Sequence, residues 1–143
     1  MTSQATRARS QGQQHERPLS PHLTVYRPSI TMTMSIVHRI TGAALYFGML
    51  LLAWWLVAAS TGPNAYANVE WFMGSLIGQL ILFGYTWALL HHMLGGIRHL
   101  IWDTIHGLEP AEREMLTLAT LIGSIALTLI LWGVGYLVMG GPR

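Results

Sequence analysis

Apolar and polar positions divide the chain into a polar opening and three long uncharged stretches: Ile40 to Ala59, Trp71 to Ile97 and Met115 to Met139. A helix needs roughly 20 apolar residues to cross about 30 Å of hydrocarbon, and each stretch reaches that length. Three buried helices of this size in a water-soluble domain would demand a larger polar shell than 143 residues can supply. The pattern predicts an all-α membrane protein with three transmembrane helices. They span about residues 36–60, 71–102 and 115–139 of a domain running from 31 to 143. The first span starts too late and is too long for a removable signal peptide.

Residues 1–30 form a polar N-terminal arm and surface segment. "MTSQATRARSQGQQHE" is rich in Gln, Ser, Thr and Arg, a composition that does not build a core. The three prolines of "RPLSPHLTVYRPSI" suit an extended or turning segment at the membrane surface. "STGPNAYANVE" reads as a loop between the first two spans.

Arginine placement orients the spans. Arg7, Arg9, Arg17, Arg27 and Arg39 precede or open the first, the first loop has no Lys or Arg, and Arg98 and Arg113 flank the second loop. The positive-inside rule puts the amino terminus and the second loop on the cytoplasmic side, or in the equivalent compartment. Trp54, Trp55, Trp71, Trp102 and Trp132 lie in or near span ends, as interface anchors do.

Composition narrows the chemistry. Only 10% of residues are charged, against roughly a quarter in soluble domains. The eight basic residues are all arginine, a small excess that does not make a nucleic-acid surface. Without cysteine the chain cannot ligate an ordinary iron–sulfur cluster, attach a c-type haem or use a thiol nucleophile. Nucleotide-phosphate fingerprints are absent as well. Any flavin or iron–sulfur centre serving this protein must sit on another chain.

The run "HHMLGGIRHLIWD", His91 to Asp103, places three histidines, an arginine and an aspartate at the end of the second span. Ionisable groups within membrane helices are costly and usually face a cavity, a partner or a cofactor. At 100° per residue, His92, Gly96, His99, Asp103 and His106 share one stripe, while His91 and Arg98 form a neighbouring line. On the first helix Ser35, His38, Arg39, Gly42 and Tyr46 lie to one side. Antiparallel neighbours would bring both polar ends to the same membrane surface, with His92 roughly 10 Å deeper than His99.

A neutral imidazole is a good haem ligand, and Gly95 and Gly96 would clear the edge of a flat macrocycle. Arginine and histidine near the surface would neutralise haem propionates, and serine with arginine would hydrogen-bond a quinone carbonyl. Other roles stay open. Arg98, His99, Asp103 and His106 suit headgroup-level residues reaching for water. His91 suits a loop, a lipid headgroup or a neighbour, and His92 an interhelical hydrogen bond. Bis-histidine ligation needs a second His, and apart from His91 beside it on the same helix no other in the spans is expected at the depth of His92; a second ligand should come from another subunit or another copy.

"RPLSPHLTVYR", then "SIVHRITG", then "HMLGGIRHLIWD", in this order and at opposite ends of two spans, resemble the cytochrome b membrane-anchor subunits of succinate dehydrogenase, respiratory complex II. The resemblance covers about residues 17 to 139. It implies that His92 is an axial ligand of haem b, in a haem-binding bundle formed with a second small membrane-anchor subunit that supplies the other axial histidine. It implies that Ser35 and Arg39 help bind ubiquinone, and that His38, Arg39, Arg98 and His99 lie near the haem propionates. A flavoprotein subunit and an iron–sulfur subunit would oxidise succinate and deliver electrons, so this chain would not be catalytic alone. The HxxxGIRH register selects His92 over His91. The alternative is a purely structural membrane anchor whose polar stripes only dock soluble partners. A proton relay is disfavoured because the outer halves of the spans lack ionisable groups.

Overall fold

The computed structural model describes residues 26–140. Arg7, Arg9, Arg17, Arg143 and most of the polar arm lie outside the described residues. Four helices follow in order: α1, Ile30–Thr61; α2, Pro63–Gly74; α3, Leu76–Asp103; and α4, Pro110–Met139. Three of them, α1, α3 and α4, are long and apolar enough to cross a membrane.

Local chemistry sets the boundaries. Ser29 caps α1, its hydroxyl accepting from the Met32 N–H at 3.3 Å. Gly62, at φ 136°, turns the chain after α1, and Pro63 then opens α2 with its φ preset for a helix. The stretch expected as a loop is therefore largely a helix of 12 residues. Val69 of α2 is buried, while Trp71 is 79% exposed.

The second uncharged stretch is divided at Ser75, which is extended and caps α3. Its hydroxyl donates to the Phe72 carbonyl at 2.6 Å and accepts from the Gly78 N–H at 3.1 Å. Trp71 thus belongs to α2 rather than to the second span. After α3 a short turn is latched by the Trp102 indole N–H donating to the Gly107 carbonyl at 3.0 Å. A capping box between Glu109 and Glu112, with Pro110 in the first turn, starts α4.

The helices pack antiparallel on both sides of α3. Against α1, His38 meets the backbone at Gly95, Gly42 meets His92, and Gly48 meets Tyr85. Against α4, His91 meets Ser124, Thr86 meets Trp132, and Gln79 meets Tyr136. Each series climbs one helix as it descends the other.

Burial is inverted relative to a soluble domain. Ile36, Ile40, Phe47, Leu50, Leu100, Ile122, Ile130 and Leu137 are exposed, whereas Thr41, His91, Arg98, Thr117, Thr120, Ser124 and Thr128 are buried. Lipid is as apolar as leucine, so burying leucine gains little there. Small and hydroxylated residues instead let helices approach and hydrogen-bond. With 32 residues α1 is about 48 Å long, well beyond about 30 Å of hydrocarbon. The end carrying Ser35, His38 and Arg39 can therefore reach the membrane surface.

Candidate functional site

The site is built where the first half of α1 crosses the second half of α3. His92 is half-buried there. Its Nδ1 lies 3.2 Å from the His38 carbonyl oxygen and 3.4 Å from Thr41 Oγ1. A carbonyl can only accept, so His92 Nδ1 carries the proton. Thr41 donates its own hydroxyl proton to the same carbonyl at 2.9 Å, leaving its lone pairs toward His92. The neutral tautomer this selects has its free lone pair on Nε2. No described residue hydrogen-bonds to that atom, and it is not sealed from the surface.

Two glycines permit this approach from opposite sides. The His38 ring occupies the space a Gly95 side chain would fill, and a Cβ at Gly42 would come within 3.0 Å of His92 Cε1. The His38 and His92 rings stack in parallel, with centroids 4.0 Å apart and an interplanar angle of 5°. His99 tilts against His38 at 5.7 Å and meets Trp102 edge-on at 5.1 Å. The structure thus gathers His38, His92 and His99 together with Thr41.

Ser35 and Arg39 are exposed on α1, four residues apart and hence on one face. Arg98 is placed differently. It is 4% exposed and lies in line with His91, about 120° around α3 from His92. Its guanidinium sits 5.1 Å over the Trp102 ring, and its Nε and Nη1 are buried with no acceptor. Gly96 has nothing within 4 Å of where a Cβ would stand. Of the two adjacent glycines, Gly95 gives clearance to His38, and only Gly96 opens onto free space. Asp103 is exposed at the end of α3, and His106 is exposed with its Nδ1 3.0 Å from Thr104 Oγ1.

His91 belongs to neither the surface nor a loop. It is fully buried, with Nδ1 3.2 Å from Ser124 Oγ of α4 and its ring stacked on Trp87 at 5.2 Å. Thr41 stood out in the sequence only as part of the block "SIVHRITG", and Ser124 not at all, because ordinary hydroxyls in apolar helices bond their own backbone. Beyond Gly48 and Tyr85, a shallow groove between α1 and α3 is lined by Ala44, Phe47, Leu51, Ile81 and Gly84 and has no charged side chain.

Among the described residues no group of three or more His, Cys, Asp or Glu could enclose a metal ion. Of the clustered imidazoles, His92 is the one whose Nδ1 hydrogen bonds to the His38 carbonyl and Thr41, leaving Nε2 with a directed lone pair. Residues 13–131 match the sequence profile of the succinate dehydrogenase/fumarate reductase transmembrane subunit. The chain belongs to that family. It is 46% identical over 114 residues to the succinate dehydrogenase cytochrome b556 subunit of Paracoccus denitrificans, covering 80% of this chain and 88% of that one. The protein of the same name from Rickettsia conorii is 36% identical over 118 residues, 82% of this chain and 92% of the relative. The mitochondrial cytochrome b560 subunit of Sus scrofa is 43% identical over 96 residues, 64% of this chain and 56% of the relative. Family and fold agree on an integral membrane protein, related to cytochrome b subunits of succinate dehydrogenase.

Proposed function

We propose that this chain is the haem b-ligating membrane anchor of a succinate:ubiquinone oxidoreductase, with His92 Nε2 as one axial ligand and Ser35 and Arg39 in the quinone-reduction site. The observation that carries this is the hydrogen bond from His92 Nδ1 to the His38 carbonyl, which leaves Nε2 as the free nitrogen. Histidines that ligate metals almost always donate their other ring N–H in this way, which fixes the tautomer and raises basicity. Haem b held there would supply a one-electron reservoir beside the route to the quinone.

The remaining histidines fit other roles. His38 stacks in parallel beside His92, so the two rings would not hold one iron between them. His91 is sealed between α3 and α4. A second histidine to hold the haem would come from a small companion anchor subunit. His38, Arg39 and His99 stand nearer the membrane surface than His92 on their helices, where they would offset the propionates. Arg98, one layer behind, would contribute its charge through the Trp102 side of the bundle.

At the quinone, the Ser35 hydroxyl and the Arg39 guanidinium would donate to a carbonyl oxygen. Those bonds strengthen as negative charge builds on the oxygen, so they favour the reduced state over the bound substrate. Two electrons from a partner's iron–sulfur subunit, fed by a flavoprotein subunit, and two protons from surface water convert ubiquinone to ubiquinol. The amino terminus lies on the cytoplasmic or matrix side of a bacterial or mitochondrial inner membrane, where those soluble subunits dock.

The test is a reduced-minus-oxidised spectrum of the assembled complex. His92→Ala should abolish the b-type absorption while leaving α1, α3 and α4 in the membrane. An unaltered spectrum would remove the ligand assignment and leave a purely structural anchor.

A further inference from the structure

His91 has no part in the site just described, yet its side chain is among the most completely enclosed in the molecule, at 0% exposure. Its partner Ser124 is equally buried. The Ser124 hydroxyl proton is committed to the Leu121 carbonyl of its own helix at 2.8 Å. Ser124 Oγ must therefore accept, and the His91 Nδ1–H must donate, in the 3.2 Å contact between them. Thr117, Thr120 and Thr128, which share this face of α4, spend their hydroxyl protons on their own backbone one turn back. Two further bonds join α3 to α4, from Trp132 to Thr86 and from Tyr136 to Gln79, both nearer the start of α3. Among the described residues, His91 to Ser124 is the α3–α4 side-chain hydrogen bond closest to the haem-ligand candidate.

Adjacent residues on a helix point about 100° apart. His91 is held by α4 on one side, and His92 by the His38 carbonyl of α1 on the other. Between them the two tethers fix the rotation of α3 about its axis. An imidazole lies roughly 6 Å from that axis, so a rotation of about 20° would sweep His92 by about 2 Å. That exceeds what a directed metal–ligand bond tolerates.

We propose that His91 is a positioning residue: its hydrogen bond to Ser124 sets the rotation of α3 and so aims His92 Nε2 at the iron. The inference rests on His92 being the axial ligand. It concerns the bond, not the bulk, of His91, and conservative variants separate the two. Asn at position 91 keeps a donor near the place of Nδ1, and Thr at position 124 keeps the acceptor.

The experiment uses the complete complex carrying Ser124→Ala, His91→Leu, His91→Asn, Ser124→Thr or His92→Ala. Two quantities are read: the g values of the oxidised low-spin haem by electron paramagnetic resonance, and the rate of haem release in mild detergent. Ser124→Ala and His91→Leu should shift the largest g value and speed release about three- to twentyfold, the range set by one interhelical hydrogen bond in a membrane. His91→Asn and Ser124→Thr should stay near the parent protein. Native g values and release in Ser124→Ala would overturn the proposal, as would His91→Asn behaving like His91→Leu. If instead His92→Ala keeps the b-type spectrum, the ligand assignment itself fails, an outcome distinct from either of these.

Discussion

The two faces of α3 use polar residues in opposite ways. Toward α4, His91 and the Thr117, Thr120, Ser124 and Thr128 hydroxyls are buried, and each hydroxyl satisfies its own backbone. Toward α1, His92 is only half-buried and keeps an uncommitted nitrogen near the surface, and Ser35 and Arg39 of α1 and His99 of α3 are exposed. The first face is closed and the second is open. Polarity in a membrane helix is therefore not by itself a sign of chemistry. What separates a seam from a site is whether unspent bonding capacity can reach something outside the chain. His91 Nε2, Trp87 Nε1 and the Nε and Nη1 of Arg98 are sealed without partners, as is His38 Nδ1 on the α1 side, so unspent capacity alone does not make a site when none of it is accessible.

Substitutions on each face can break this contrast. The largest effect should come from the open face. Arg39→Ala should lower quinone reduction by succinate about a hundredfold, and Ser35→Ala about tenfold, with succinate oxidation by an artificial acceptor unchanged. Equal loss with both acceptors would place Arg39 in assembly rather than at the quinone. Next comes Gly95→Val, whose side chain must evict the His38 ring. It should cost about 1–3 kcal/mol in thermal unfolding and perturb the b-type spectrum.

Thr41→Val removes only the second acceptor of His92 Nδ1–H, since the His38 carbonyl remains. A loss of about 1 kcal/mol with the haem retained is expected, and complete haem loss would make Thr41 rather than the carbonyl the main tether. Gly96→Ala should be the mildest, within about 0.5 kcal/mol of the parent protein, because its Cβ meets open space. A Gly96→Ala protein as damaged as Gly95→Ala would erase the difference between two glycines that are adjacent in sequence.

Much of the fold is legible in the pattern of uncharged stretches, because crossing a membrane imposes a length and a composition that few other structures share. The break at Ser75 is not. Hydropathy runs unbroken from Trp71 to Ile97, and a helix cap depends on one hydroxyl meeting two backbone groups. The start of α2 left a local trace in Gly62-Pro63, a pair that ends one helix and opens the next, although it sat within an apparent loop. At the site, helical periodicity already joins His92 to His99 and sets both apart from Arg98. It is silent on His91, since its burial is decided by Ser124, a residue 33 positions later on another helix. It groups Gly96 rather than Gly95 with His92, whereas it is Gly95 that the first helix packs against through His38.

The stacked pair of His38 and His92 also bears on what binding a metal would cost. A side chain free to rotate loses that freedom when it binds a metal, and the loss weakens capture. A carbonyl, a threonine and a flat neighbouring ring hold the His92 imidazole in one tautomer and one orientation. Under the proposed ligation, that fixed orientation would lower the entropic cost of capturing the prosthetic group.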